Sequence, residues 1–154
     1  MGKGGRNRRK RTEQSTALAK YDQVGFPEEL LFRDKIVGQL GSPIDGWVPQ
    51  LIYRYAALTP EWLVVDWAIM VDVYRVEANG EETRRRVERI DICHSEVHVH
   101  VFRQSDDPSD DQGRKTVLTS ISAGDEVIVS RAYEEQLAMV FADWQLRVER
   151  WIDG

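Results

Sequence analysis

The chain has 154 residues, of which 42% are hydrophobic and 31% are charged, and its formal net charge is −5. This size and composition suit one globular domain with its own hydrophobic core. No apolar run approaches the roughly 20 residues that a membrane helix needs, so we expect no membrane partner. The single cysteine excludes an internal disulfide and a cysteine-rich zinc site. Because the first residues lack the apolar core of a secretory signal, we expect a cytoplasmic protein.

The first residues are strongly basic, whereas the rest of the chain is acidic. Residues 1–15 are rich in glycine, arginine and polar residues without apolar periodicity, which predicts a disordered tail. Such a tail can bind RNA or another nucleic acid through the phosphates, or fold back on the acidic body. The candidate phosphate-binding residues of the tail are Arg6, Arg8, Arg9, Lys10 and Arg11.

Residues 16–154 are predicted to form a single α+β domain. Pro27 followed by two glutamates favours a helix start, and Gly41 is a suitable C-cap. Ile36 and Val37 between them also permit a strand. A turn-rich linker over 42–46 separates this segment from the strands that follow.

The centre of the domain is predicted to be an antiparallel meander of about four strands, preceded by a short strand over Leu51–Leu58. The four strands are Trp62–Val76, Thr83–Cys93, Val97–Arg103 and Thr116–Ser122. Asn79-Gly80 between the first two predicts a type I′ hairpin turn. An acidic loop over 105–113 precedes the last strand.

Alternate residues of the longest predicted strand form one wholly apolar row and one mixed row. The mixed row contains Asp66 and Asp72, which are candidate carboxylates for catalysis or for pairing with arginines of the returning strand. Three consecutive arginines, Arg84, Arg85 and Arg86, lie near the predicted hairpin tip. They either bind phosphate or form a solvated tip.

The C-terminal segment predicts an amphipathic helix that starts between Asp125 and Ser130 and packs across the apolar face of the sheet. Its apolar residues recur at spacings of three and four: Tyr133, Leu137, Val140, Phe141, Trp144, Val148 and Trp151. Arg147 falls among the polar positions between them.

All three histidines and the cysteine lie within Arg89–Arg103. On a strand, His98 and His100 would share one face, about 7 Å apart. A chain reversal at His94-Ser95-Glu96 would bring His94 and Asp91 to this pair. His-x-His on a strand suits a divalent metal, which is the candidate cofactor, and imidazole also suits acid–base catalysis. The alternative is that these residues line the wet face of an edge strand. We expect Cys93 to be a buried, unreactive thiol.

These residues carry a resemblance to a known family. A strand that ends in an aspartate, a nearby histidine, and His-x-His followed by an aromatic residue resembles the pattern of TumE-type toxin subunits of toxin–antitoxin pairs. The matching residues are Asp91, His94, His98, His100 and Phe102. The chain is also similar to uncharacterised actinobacterial and phage domains that end in a tryptophan-rich helix. The resemblance implies a compact α+β domain that acts on RNA and has an antitoxin-like protein partner.

Three functional hypotheses follow. In the first, a toxin-like protein acts on RNA, with His98, His100, His94 and Asp91 as catalytic groups. In the second, the chain is a non-enzymatic accessory or interaction module with surface histidines. In the third, it is a divalent-metal-binding regulator that binds the ion through His98 and His100.

Overall fold

A computed structural model describes residues 19–154, which form one six-stranded antiparallel sheet and one long helix. The strands follow one another in chain order across the sheet. Their bounds are β1 (Leu31–Gln39), β2 (Val48–Leu58), β3 (Leu63–Val76), β4 (Glu82–Cys93), β5 (Glu96–Val101) and β6 (Arg114–Ser120), and the helix α1 is Glu126–Asp153. The predicted α+β class is confirmed, with six strands instead of about four.

The predicted tail, 1–15, lies outside the described residues. Within the described part of the chain, no helix is both long and apolar enough to cross a membrane.

The predicted helix after Pro27 is wrong, and the strand that Ile36 and Val37 also permitted forms instead. Only a single 3₁₀ turn forms, over Glu28–Leu30, and the chain then enters β1. β1 pairs with β2 over nine consecutive residues. Ile36 and Val37 favour the strand because their branched side chains pack well on a pleated surface. Tertiary pairing therefore overrides the local helix-start signal.

The turn between β3 and β4 is longer than the predicted type I′ turn. The backbone N–H of Glu77 donates to the carbonyl of Glu81, so the loop between these two hydrogen-bonded residues contains three residues, 78–80. Gly80 has a positive φ of 84°, whereas Asn79 is not among the positive-φ residues. A type I′ turn needs positive φ at both central residues, so this hairpin uses a longer loop with Gly80 in the left-handed region.

Helix α1 covers one face of the sheet, which we call the helix face; the opposite one is the far face. The indole Nε1 of Trp67 on β3 donates to the carbonyl of Val129 on α1 at 3.0 Å. The apolar row of β3 therefore packs under the helix, as predicted, and Asp66 and Asp72 lie on the far face. Trp67 and Trp151 are fully buried in this core.

Two helix positions differ from the predicted pattern. Phe141, expected in the apolar stripe, is 55% exposed, and Arg147, expected at the surface, is buried. Asp143 departs from helical geometry with φ −130° and ψ 15°, which kinks α1 between these two positions. Arg147 is buried because its guanidinium pairs with Glu88 on β4 at 2.6 Å.

Candidate metal centre

The β4–β5 hairpin brings the chemistry-bearing residues together. The chain reverses at His94 and Ser95, whose φ angles are both positive, 52° and 59°. This is the geometry of a two-residue type I′ turn, and the reversal just after Cys93 agrees with the prediction. The register that follows places Asp91 directly opposite His98.

Antiparallel pairing fixes which face these side chains occupy. Asp91 pairs with Ala68 of β3, next to the helix-facing Trp67, and therefore lies on the far face. His98 and His100 occupy the same face because they pair with Asp91 and Arg89. The two imidazole rings stand edge to face, with centroids 4.8 Å apart.

The structure does not bring His94 into this group. His94 is a turn residue at the hairpin tip and is exposed. The predicted convergence of three imidazoles is therefore limited to two. The side chain of a strand residue is directed to one face of the sheet, whereas the side chain of a turn residue has no such fixed direction.

The two strand histidines do not line a wet sheet edge. His98 is 1% exposed and His100 is 2% exposed. β5 lies inside the sheet because β6 pairs with it on the other side. Both imidazoles are therefore buried polar groups, which need partners in the protein or a bound ion.

Several of the polar atoms around the pair have no aligned hydrogen bond. Oδ1 of Asp91 lies 2.6 Å from Nε2 of His98, and Oδ2 lies 3.1 Å from Nε of Arg89. Neither contact is aligned as a hydrogen bond. Within residues 19–154, four buried side-chain atoms have no hydrogen-bond partner, and three of these four belong to the group around Asp91 and His98. These three are Arg89 Nε, Asp91 Oδ1 and His98 Nδ1.

Asp91, His98 and His100 each offer one ligand atom, and these three atoms all lie within 4.8 Å of one another. Ligand atoms around one zinc ion lie roughly 3–4 Å apart, since zinc bonds to nitrogen or oxygen are about 2 Å long. Small side-chain rotations, including a lengthening of the Asp91–His98 contact, would place all three on one ion. Two imidazoles and a carboxylate suit zinc, iron and similar transition metals.

The protonation states also suit metal ligands. A carbonyl only accepts, so Nδ1 of His100 donates to the carbonyl of Gln112, at 2.6 Å, and in the neutral ring the lone pair then lies on Nε2. Burial lowers the pKa of His98, and the negative charge of Asp91 only partly offsets this effect. A lowered pKa keeps the imidazole neutral, which is the form that binds metals.

Cys93 lies beside the pair, with Sγ 3.6 Å from Nε2 of His98. Burial, with the nearby Asp91 carboxylate, raises the pKa of this thiol above its ordinary value. Both effects disfavour the thiolate, which is the reactive form. Cys93 also lines a cleft of about 450 Å³, which is lined by neither His98 nor His100.

The three predicted phosphate-binding arginines on β4 are all engaged by protein groups. Arg84 bonds to the side chains of Gln50 and Glu82. Arg85 donates to two backbone carbonyls of the segment between β5 and β6, those of Gln104 and Asp106. Arg86 forms a two-point contact with Asp72. Nucleic-acid binding by these residues stays a prediction, and Arg6, Arg8, Arg9, Lys10 and Arg11 lie outside the described residues.

The two candidate carboxylates of β3 are ion-paired. Asp72 pairs with Arg86 of the returning strand at 2.8 Å, in agreement with the prediction. Asp66 pairs instead with Arg54 on the preceding strand, β2, at 3.2 Å. These partners account for both acids without a catalytic role.

Sequence reasoning missed three neighbours of the site: Arg89, Glu96 and the carbonyl of Gln112. The first two were within reach of the pattern, because each lies two residues from Asp91 or His98 and so shares its face. No sequence pattern predicts the hydrogen bond between His100 and the Gln112 carbonyl, because this bond depends on how the β5–β6 loop folds back.

No protein-family model matches this chain, and comparisons with curated proteins and with solved structures found no significant match. The resemblance to TumE-type toxin subunits therefore stays a prediction.

Proposed function

We propose that this protein binds one divalent transition-metal ion through Asp91, His98 and His100 and works as a metal-dependent regulatory protein. The observation that carries the proposal is the combination of three clustered ligand atoms with buried atoms that have no hydrogen-bond partner. Unpaired polar atoms in a buried site cost stability, and a bound cation is one of the few groups that satisfies a carboxylate and two imidazoles together.

Burial favours ion binding over chemistry on RNA at this site. Imidazoles that are 1% and 2% exposed cannot touch a polynucleotide without local opening of the sheet. A bare or partly hydrated metal ion is far smaller and can enter where the Asp91 side chain is 15% exposed. The toxin-like hypothesis, with its RNA substrate and antitoxin-like partner, stays a prediction.

An ion at this position would act on the acidic loop between β5 and β6. A metal on Nε2 of His100 requires the proton to stay on Nδ1, which strengthens its hydrogen bond to Gln112. The same loop supplies the carbonyls that bind Arg85 and the Asp106 carboxylate that pairs with Arg114. Ion occupancy would therefore set how firmly this loop is attached to the sheet.

The direct test is the zinc dependence of stability. With free zinc at about 100 times its dissociation constant, the free energy of unfolding should rise by about 2.7 kcal/mol, because only the folded chain has the assembled site. Urea unfolding of metal-stripped protein with and without zinc measures this effect. His98→Gln and His100→Gln should abolish it.

The matched control is His94→Gln, which removes an imidazole from the same hairpin at an exposed position. This variant should keep the whole zinc effect. A loss in His94→Gln as large as in the other two variants would overturn the proposed site, because zinc would then depend on the exposed His94 as well. No zinc effect in the wild type would refute the proposal.

A further inference from the structure

Glu96 lies two residues before His98, and its carboxylate oxygen Oε2 faces two groups at once. This oxygen is 3.2 Å from Nζ of Lys115 on β6 and 4.0 Å from Nδ1 of His98. The contact with lysine is an ion pair, whereas the contact with histidine is about 1 Å too long for a hydrogen bond. One oxygen therefore has one partner in contact and a second just out of reach.

The second partner is a ring nitrogen that needs an acceptor whenever it carries the proton. Nδ1 of His98 is buried and has no hydrogen-bond partner. When Nε2 of a histidine binds a metal, Nδ1 must carry the proton and usually donates it to a carboxylate or a backbone carbonyl. His100 already has such an acceptor in Gln112, whereas Nδ1 of His98 lies 4.0 Å from the Glu96 carboxylate.

We infer that Glu96 is the positioning residue of the proposed metal site and that it exchanges Lys115 for His98 when the ion binds. The inference rests on the proposed function, because an ion on His98 is what fixes the proton on Nδ1. A side-chain rotation that shortens the 4.0 Å separation by about 1 Å forms the bond.

This exchange makes the Lys115–Glu96 ion pair a regulator of metal affinity. Both side chains are partly exposed, 40% for Lys115 and 30% for Glu96, so the pair is a weak, salt-screened contact at the surface. Ion binding has to compete with it for the Glu96 carboxylate. Removing the lysine should therefore tighten metal binding, and removing the glutamate should weaken it.

The experiment is a double-mutant cycle on zinc affinity, measured by competition with a chromophoric chelator. Glu96→Ala should lose roughly tenfold or more in affinity, in line with other outer-sphere partners, and Glu96→Gln, which keeps a neutral acceptor, should lose less. Lys115→Met should gain roughly two- to fivefold, which corresponds to the release of a surface ion pair. In the Glu96→Ala background, Lys115→Met should have almost no effect.

The cycle separates the inference from simple electrostatics. Loss of a nearby positive charge by itself would raise affinity equally with and without Glu96, and that result would overturn the inference. Glu82→Ala is the matched control, because it removes a carboxylate that is 49% exposed on the neighbouring strand, and it should leave affinity unchanged.

Proton NMR gives a readout that a purely structural role would not move. Zinc-loaded wild type should show two downfield imidazole N–H resonances, one from each strand histidine, and Glu96→Ala should lose the one that is also absent from His98→Gln. Wild-type zinc binding with unchanged affinity in Glu96→Ala would refute the inference alone. No zinc binding by the wild type would refute the proposed function and the inference together.

Discussion

Two buried polar clusters lie on opposite faces of β4, and they differ in how completely their members are paired. On the helix face, Glu88 binds Arg147 at 2.6 Å and Arg150 at 3.0 Å, and Arg147 also binds Asp143. On the far face, Asp91 and His98 lie three and ten residues further along the chain, and each retains one atom without an aligned hydrogen bond.

The comparison separates a structural cluster from a binding cluster. In the Glu88 cluster, opposite charges and aligned hydrogen bonds compensate the cost of burial within the protein. The Asp91 cluster keeps three buried polar atoms that make no aligned hydrogen bond with a protein group. A fold tolerates such a cost where another component satisfies the atoms, as at a metal site.

The largest expected effect tests the paired cluster. Arg147→Ala should lower the free energy of unfolding by about 3–5 kcal/mol, because it leaves the Glu88 carboxylate buried with only a partly exposed partner. Urea unfolding with and without zinc measures this loss, which should be the same in both conditions. A loss below 1 kcal/mol would mean that Glu88 is not held by Arg147.

A smaller effect is expected when the unpaired cluster is altered in metal-free protein. Asp91→Asn keeps the shape of the side chain, and the carboxylate that it removes makes no aligned hydrogen bond. The free energy of unfolding should change by no more than about 1.5 kcal/mol. The zinc-dependent stabilisation should nevertheless disappear. If Asp91→Asn costs as much as Arg147→Ala, the two clusters do not differ in the way proposed.

The pH dependence of the folding stability should also distinguish the cluster on the far face from the Glu88 cluster. The folded pKa of His98 lies below its ordinary value of 6.5, so the unfolded chain takes up a proton before the folded one does. Its contribution to stability is complete above about pH 6.5 and is lost as the pH falls towards the folded pKa. The slope from this one group cannot exceed about 1.4 kcal/mol per pH unit.

Two measurements check the direction of the His98 pKa shift and of its effect on stability. The NMR titration of the His98 ring should have a midpoint below 6.5, and in metal-free protein His98→Gln should flatten the decline of stability between pH 7 and pH 5.5. A midpoint above 6.5 would mean that Asp91 outweighs burial, and the neutral-ligand argument would fail.

The smallest effect should come from Arg150→Ala. Arg150 binds the same carboxylate as Arg147, but its side chain is 48% exposed, so water replaces it at little cost. The expected loss is at most about 1 kcal/mol. A loss equal to that of Arg147→Ala would show that exposure does not set the difference between these two arginines.

Local sequence patterns predicted much of the fold, and the predictions that failed have identifiable physical causes. Strict alternation predicted β3 and its face, and spacings of three and four predicted α1. The helix expected after Pro27 failed because pairing with β2 decides the structure of β1. The burial of Arg147 was not predictable, because its partner Glu88 lies 59 residues away.

Two parts of the candidate site were predictable from the sequence. Spacing alone put His98 and His100 side by side, because side chains two apart on a strand occupy one face. The reversal after Cys93 was also anticipated, and it brings Asp91 opposite His98. The exclusion of His94 depended on which residues occupy the turn itself, and the sequence contains no separate signal for that.

By itself, the sequence determined the α+β class, the apolar row under the helix and the concentration of imidazoles in one hairpin. Only the tertiary structure decided that the histidine pair is buried, that His94 stays outside it and that Glu96 lies between Lys115 and His98. The physical reason is that periodicity depends on local backbone geometry, whereas burial and hydrogen-bond satisfaction depend on which distant segments pair and on how the loops between them fold back.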